Sequence, residues 1–220
     1  MYPVEINVLT DNFDGVREAC GNWIPVFRCP SSADPESVSG EWWANGIEGR
    51  VPCNYLGCGS GTSARESGDS QWCGDPDSDG IMARNLWVTL QSVTDGLSTT
   101  VMYGETTNVL GVFAPDDSGN PQHVDHWYIW SEELTLWDSD LDFAESSEAV
   151  GSTAARINAI DIEDAHINEK ELCFSSRHKG RGINLAFCDG HVQFVSATID
   201  AETYSAIGTR NGNEIVDEFD

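Results

Sequence analysis

The stretch from residue 174 to residue 196 constrains the fold more than any other part of the chain. Residues 183–188 alternate between large apolar side chains and smaller or polar ones, and residues 192–194 resume the same alternation. Such a period of two is typical of a half-buried β-strand. Asp189-Gly190 lies between the two runs and favours a two-residue hairpin turn. The sequence therefore predicts a tight β-hairpin, preceded by the basic, glycine-rich loop at residues 179–182.

Other segments also predict strands and turns. Apolar alternation at residues 2–8 predicts an N-terminal strand within residues 1–10, which either closes the domain's own sheet or adds to a neighbour's sheet edge. Thr94-Asp95-Gly96 predicts a turn with a positive φ, and residues 198–207 predict a short helix. Further strands are predicted at residues 86–90, 99–103, 109–113 and 126–130.

Long segments without a helical or strand period separate these elements. Residues 30–80 are rich in Cys, Gly, Pro and Ser and predict a loop region, and residues 131–150 predict an acidic surface insertion. No tandem repeat is present, and 220 residues fit one large domain or two small ones. The predicted fold is a single α+β domain over residues 1–220, strand-dominated, with an antiparallel sheet and long loops.

The charge balance narrows the possible partners. The chain has 37 Asp and Glu against 11 Lys and Arg, a net charge of −26. Binding to nucleic acid or to anionic membranes needs clustered Lys and Arg, so neither is expected as a partner. Copies of such a chain repel each other unless salt or divalent cations intervene.

Seven cysteines are many for a cytosolic chain of this length, and they predict an exported protein with disulfides. The odd number leaves at least one thiol unpaired or paired to another chain. A zinc site is only weakly indicated, because Cys53 and Cys58 have no matching second pair. The disulfide candidates are Cys20, Cys29, Cys53, Cys58, Cys73, Cys173 and Cys188.

Acidic side chains at alternate positions predict a calcium loop. Asp75, Asp77 and Asp79 precede Gly80, and this arrangement can wrap oxygen ligands around Ca²⁺. The twelfth position is Leu86 rather than an acid, so the loop is not an EF-hand. A solvated acidic turn is the alternative interpretation.

Further candidate ligands lie elsewhere in the chain. Asp138, Asp140 and Asp142 form a second acidic cluster, and Glu105 either helps to hold a cation or caps a strand. His123 and His126 beside Asp125 are a weaker transition-metal candidate, with surface residues as the alternative.

Catalytic motifs are absent from the sequence. It contains neither Gly-x-Ser-x-Gly nor His-Glu-x-x-His, and its glycine-rich segment at residues 57–61 lacks the Lys of a phosphate loop. The sequence therefore predicts a protein that is not an enzyme.

Four ordered segments resemble a known family. FSSRHKGRGINLAFCDGHVQFVS at residues 174–196 is similar to the C-terminal motif of the pilin-like DUF1559 proteins that are abundant in planctomycetes. That family has nine residues between a His and Asp-Gly, whereas ten residues separate His178 from Asp189 here. VFRCPSS at residues 26–32, VTDGLSTTVMYGET at residues 93–106 and IGTRNGNEIV at residues 207–216 resemble three further segments of the family.

The resemblance implies a type IV pilin-like layout, in which a prepilin leader and a long apolar helix precede the globular domain. No signal peptide or apolar helix appears in this sequence, so we expect either the globular part alone or assembly without that helix. Within the motif, we interpret His178, Asp189 and Gly190 as fold-holding residues: Asp189 satisfies turn N–H groups, and His178 hydrogen-bonds a loop or packs on an aromatic ring.

The leading functional hypothesis is a structural subunit of an extracellular or cell-surface filament. This subunit would assemble with copies of itself into a helical, Ca²⁺-stabilised, pilus-like filament, and we do not expect this chain itself to contact a membrane. The alternative is a minor pseudopilin or surface module that binds glycans or cargo. Candidate aromatic platforms for that alternative are Trp42, Trp43, Trp72 and Trp127.

Overall fold

The computed structural model describes residues 18–38, 49–65, 73, 77–83, 87–113, 122–124, 126, 149–214 and 216. The predictions for the N-terminal strand and for residues 131–148 of the acidic insertion lie outside these residues. The described strands are β1 (Tyr55–Ser60), β2 (Val101–Glu105), β3 (Val109–Phe113), β4 (Gln122–Val124), β5 (Val150–Ser152), β6 (Gly182–Phe187) and β7 (Val192–Ser196). The described helices are α1 (Ile167–Leu172) and α2 (Ala201–Ala206), with short 3-10 helices at Pro25–Phe27, Leu90–Ser92 and Ala159–Asp161.

The main element is a five-stranded sheet in the order β5-β1-β2-β6-β7, beside a two-stranded sheet of β3 and β4. Strand β1 pairs antiparallel with β2, β2 with β6, and β6 with β7. Strand β5, however, runs parallel to β1. The strand-dominated, mixed character was predicted correctly, but the sheet is mixed rather than antiparallel throughout.

The predicted hairpin is present. Strands β6 and β7 pair over five residues, from Gly182 with Ser196 to Ala186 with Val192. The backbone N–H of Phe187 donates to the carbonyl of His191, so three residues form the turn instead of two. Gly190 has a φ of 92°, a backbone conformation that glycine adopts without a steric penalty.

Two local predictions were wrong. Residues 30–80 are not all loop, because β1 lies among them as a central strand of the sheet. The strand predicted at residues 86–90 is absent where the structure describes it: residues 87–89 are irregular and Leu90–Ser92 is a 3-10 helix. Trp87 is 83% exposed and Leu90 is 59% exposed, so neither side chain packs into the core.

Buried side chains lie on one face of the main sheet. Ile183, Leu185 and Val195 are fully buried and alternate with more exposed residues along β6 and β7. Leu56 belongs to the same cluster, although β1 is buried on both faces. Helix α2 covers this cluster with Tyr204, and Asp200 caps the helix by accepting the N–H groups of residues 202 and 203. None of the helices in the described residues is both long and apolar enough to span a bilayer.

The disulfide prediction requires correction. All seven cysteines are free thiols, and six of them are buried. Four thiols lie against backbone carbonyls: Cys53 against Tyr55, Cys58 against Gly208, Cys73 against Gly151 and Cys173 against Lys170. A disulfide requires facing Cβ atoms on closely spaced backbones. These side chains instead fill the interior as small apolar residues, Cys58 in one core cluster and Cys73 and Cys173 in another.

Burial also determines the chemistry of these thiols. Desolvation by burial raises the pKa of Cys53 to about 11 and that of Cys173 to about 12. Thiols with such pKa values stay protonated at neutral pH and are poor nucleophiles. The number of cysteines is therefore no longer an argument that the protein is exported and disulfide-bonded.

A thiol titration tests whether the seven thiols are free and six of them are buried. We expect a chromogenic disulfide reagent to label one thiol of the native, metal-free protein rapidly, because Cys29 alone of the seven is only half-buried. In denaturant without reductant, all seven thiols should react. The Cys29→Ser variant should lose the fast phase, and fewer than seven reactive thiols in the unfolded wild-type chain would show that disulfides form after all.

Candidate metal centre

Three side chains from distant parts of the chain meet at the end of β2. Nε2 of His178 lies 2.9 Å from Oε1 of Glu105, and Sγ of Cys29 lies 4.0 Å from that oxygen and 3.9 Å from Nε2. All three donor atoms thus lie within 4.8 Å of one another. We call this group the Cys–Glu–His cluster.

Glu105 is the fixed member of the cluster. It is the last residue of β2 and only 5% exposed, and its Oε2 accepts the backbone N–H of Asn184 on the neighbouring strand β6 at 2.7 Å. Nδ2 of Asn184 lies 3.1 Å from both carboxylate oxygens. The antiparallel pairing of β2 with β6 therefore orients the Glu105 carboxylate without the help of a cation.

Loops hold the other two members. Ser31 Oγ lies 3.2 Å from Nδ1 of His178 and 3.1 Å from Sγ of Cys29, and so connects them on the outer side. The backbone N–H of Cys29 donates to Oδ1 of the fully buried Asn54 at 3.1 Å. Nδ2 of Asn54 in turn reaches the carbonyl of Thr106, which ties the Cys29 loop to the end of β2.

A small cavity of about 10 Å³ adjoins the cluster, roughly the space that one water molecule needs. Cys29 and Glu105 contribute to its wall, and hydroxyl groups form most of the rest. These hydroxyl residues are Ser31, Ser32, Thr106, Thr107, Ser175 and Ser176.

The geometry of the cluster distinguishes between a proton relay and a cation-binding site. A thiol–imidazole–carboxylate relay requires the two imidazole nitrogens to contact different partners. Here Cys29 and Glu105 both lie on the Nε2 side of His178, while Nδ1 contacts Ser31. Three donors that converge on one point are suited to holding a cation rather than to relaying a proton.

Of the predicted calcium ligands that the structure describes, Glu105 belongs to this cluster, and Asp77 and Asp79 do not. Asp75, Asp138, Asp140 and Asp142 lie outside the described residues. Oδ1 of Asp79 accepts the hydroxyl of Ser60 at 2.6 Å and the N–H of Gly61 at 2.9 Å, and Oδ2 accepts the hydroxyl of Thr62. These contacts fasten the Asp79 loop to the end of β1.

Asp77 is exposed, whereas His126 of the histidine candidate is buried. The side chain of Asp77 is exposed on the same loop as Asp79. His126, expected at the surface, is fully buried, and its backbone N–H donates to Oδ1 of Asn108 at 2.6 Å.

His178 and Asp189 lie at opposite ends of β6 and serve different sites. Oδ1 of Asp189 lies 3.0 Å from the backbone nitrogen of His191 and 2.6 Å from its Nδ1. These hydrogen bonds, the backbone one first, lower the pKa of the Asp189 carboxyl. Gly190 lies in the same turn, so Asp189 and Gly190 both have a local role in the hairpin.

Sequence reasoning missed the cluster as a unit. It assigned Cys29 to disulfides, Glu105 to calcium and His178 to a structural motif, and it did not single out Asn184 or Ser31. The available signal was that Cys29, Glu105 and His178 each fall within a segment that resembles the same family.

In a comparison with protein families, the profile described as "Protein of unknown function (DUF1559)" matches residues 6–202. No curated protein and no solved structure matches the chain. Because the family profile covers most of the sequence, the chain belongs to the DUF1559 family.

Proposed function

We propose that the chain is a structural subunit of an extracellular, pilus-like filament whose acidic subunits are bridged by Ca²⁺. The observation that carries the proposal is an apolar surface on the outer face of the main sheet. Tyr103 on β2 pairs with Ala186 on β6, which pairs with Val192 on β7. Tyr103 is 44% exposed and Val192 is 64% exposed.

A second row extends this surface along the sheet. Phe194 pairs with Asn184 and is 43% exposed, so the side chains of Tyr103, Val192 and Phe194 form what we call the outer apolar face. Strand β7 is the last strand in the sheet order. An edge strand with exposed apolar side chains is a template for contact with another chain. Burial of such a face between copies would favour polymerisation.

The net charge of −26 supports the role of calcium in the proposal. Copies brought together through the outer apolar face repel each other electrostatically, and divalent cations between acidic surfaces would reduce that repulsion. Asp77 is one of the exposed carboxylates that contribute to this acidic surface.

Charge placed on the outer apolar face should block assembly. We expect wild-type protein to form polymers in millimolar Ca²⁺ and to lose them with chelator, as measured by sedimentation and electron microscopy. Val192→Lys should raise the concentration needed for assembly about tenfold or more, because a buried unpaired charge costs over 1.4 kcal/mol. Leu90→Lys, with a similarly exposed aliphatic residue away from the sheet, is the matched control.

Two results would contradict this proposal. The wild-type protein would remain monomeric at high concentration with Ca²⁺, or Val192→Lys and Leu90→Lys would affect assembly equally.

A surface module that binds glycans or cargo is the second candidate. Trp87 is 83% exposed and Trp23 is 48% exposed, and flat aromatic side chains at a surface are suited to stacking on ligands. The four tryptophans named above as platforms lie outside the described residues. A monomeric protein that binds a glycan array through Trp87 would favour this role over the filament.

A further inference from the structure

We infer that the Cys–Glu–His cluster is a Zn²⁺ site, with Cys29, Glu105 and His178 as its protein ligands. The inference is independent of the filament proposal, because it concerns a cation held within one chain rather than between copies.

The set of donors selects the metal. A thiolate and an imidazole favour zinc over calcium, which takes only oxygen ligands. Three protein ligands of this kind, with a water in the fourth position, make up a common zinc coordination sphere. The adjoining cavity of about 10 Å³ has room for one water beside Cys29 and Glu105.

The distances fit tetrahedral coordination after small adjustments. Zn²⁺ binds sulfur at about 2.3 Å and nitrogen or oxygen at about 2.0–2.2 Å, so tetrahedral ligand atoms lie roughly 3.2–3.6 Å apart. The cluster has separations of 2.9, 3.9 and 4.0 Å. Cys29 and His178 lie on loops, so modest side-chain rotation can bring their donor atoms into this range.

The surrounding contacts already resemble the outer shell of a metal site. A histidine that ligates through one nitrogen uses the other to contact a hydroxyl, carbonyl or carboxylate, which fixes the ring. Nδ1 of His178 contacts Ser31, so Nε2 faces Glu105 and Cys29. Asn184 fixes the carboxylate of Glu105 in the same way.

The solvent access of the cluster and the ionisation of its ligands are also compatible with a bound Zn²⁺ ion. Glu105 is buried, but the side chain of His178 is 28% exposed and provides a route from solvent. Binding would displace the thiol proton of Cys29 to solvent, since the thiolate is the ligand. The bound ion would connect the loop at Cys29, the end of β2 and the loop before β6, a cross-link that disulfides were predicted to supply.

A titration tests the inference. Protein stripped with chelator, in the presence of reductant, is titrated with Zn²⁺ against a chromogenic chelator. We expect one equivalent to bind with a dissociation constant of about 1 µM or tighter. At a hundredfold excess over that constant, Tm should rise by on the order of 5–10 °C. Co²⁺ in place of Zn²⁺ should give a thiolate-to-cobalt charge-transfer band in the near ultraviolet.

Matched variants assign the ligands. Cys29→Ser and His178→Gln should each weaken Zn²⁺ binding about tenfold or more, and Cys29→Ser should also remove the thiolate band. His191→Gln is the control, because His191 lies 2.6 Å from the Asp189 carboxylate but outside the cluster. This control should bind Zn²⁺ like the wild type.

Several results would overturn the inference. One is a dissociation constant weaker than about 100 µM; another is equal Zn²⁺ affinity in Cys29→Ser and the wild type. A preference for Ca²⁺ over Zn²⁺ at this site would also overturn it. If a variant fails to fold, the cobalt spectrum of the wild-type protein decides, since the absence of a thiolate band excludes Cys29 as a ligand.

Discussion

Glu105→Gln is expected to lower the free energy of unfolding of the metal-free protein by about 2–4 kcal/mol, as measured by urea denaturation. Glu105 is buried, and its carboxylate accepts the backbone N–H and side-chain amide of Asn184. In the Gln side chain, an NH₂ group replaces one acceptor oxygen and meets these donors. A buried hydrogen bond to a charged acceptor is lost, and a donor is left without a partner.

Glu163→Gln is the control for this change, because Glu163 is exposed and outside the sheet. Its effect should stay within about 0.5 kcal/mol. If the two variants unfold at the same urea concentration, the Glu105 carboxylate does not support the sheet as described. Glu105→Gln should also lose Zn²⁺ binding under conditions in which it remains folded, which separates the metal role from the structural one.

Phe174→Ala is expected to lower the free energy of unfolding by about 3–5 kcal/mol and Tm by roughly 6–20 °C. The ring is fully buried and lies against two glycines in the sheet, Gly104 on β2 and Gly151 on β5. A Cβ at Gly104 would lie 2.4 Å from Cδ1 of Phe174, so the ring occupies the space that a side chain on β2 would otherwise fill. Removal of the ring therefore leaves a cavity that backbone atoms cannot close.

Trp87→Ala provides the comparison for a large aromatic residue at the surface. Trp87 is 83% exposed, and its loss should change the free energy of unfolding by about 0.5 kcal/mol or less. A small effect of Phe174→Ala, similar to that of Trp87→Ala, would contradict the core described here. Circular dichroism during heating measures both variants under the same conditions.

The β6–β7 hairpin was predictable because its signals are local. Alternation over a few residues specifies which side chains face the core, and Asp189-Gly190 supplies the turn chemistry. The turn with positive φ at Gly96 and the helix α2 follow from equally local signals. The turn at Gly96 also has a long-range role, since the carboxylate of Asp95 accepts the N–H groups of Gly212 and Asn213.

Strand β1 was missed because Tyr55 is its only residue of a strand-favouring type. Gly57 and Gly59 give the segment the composition of a loop, yet the backbone pairs with β2 on one side and β5 on the other. Small residues are needed where neighbouring segments lie close: a Cβ at Gly57 would be 2.6 Å from Cγ of Met82. Pairing with distant strands overrides the weak local propensity.

The Cys–Glu–His cluster lay beyond sequence reasoning for a similar reason. Glu105 and Cys29 are 76 residues apart, and His178 is 149 residues from Cys29, so no spacing rule connects them. The cysteine count indicated disulfides, but a count carries no information on which Cβ atoms face each other.

The sequence alone determined the acidic charge, the hairpin with its turn, the strand-dominated fold and the resemblance that the family comparison confirmed. These properties follow from composition and from patterns a few residues long. The tertiary structure decided that β5 runs parallel to β1, that seven thiols remain free, and that Glu105 meets His178 and Cys29. Each of these depends on contacts between segments far apart in the chain, which form only when the sheet and its loops pack together.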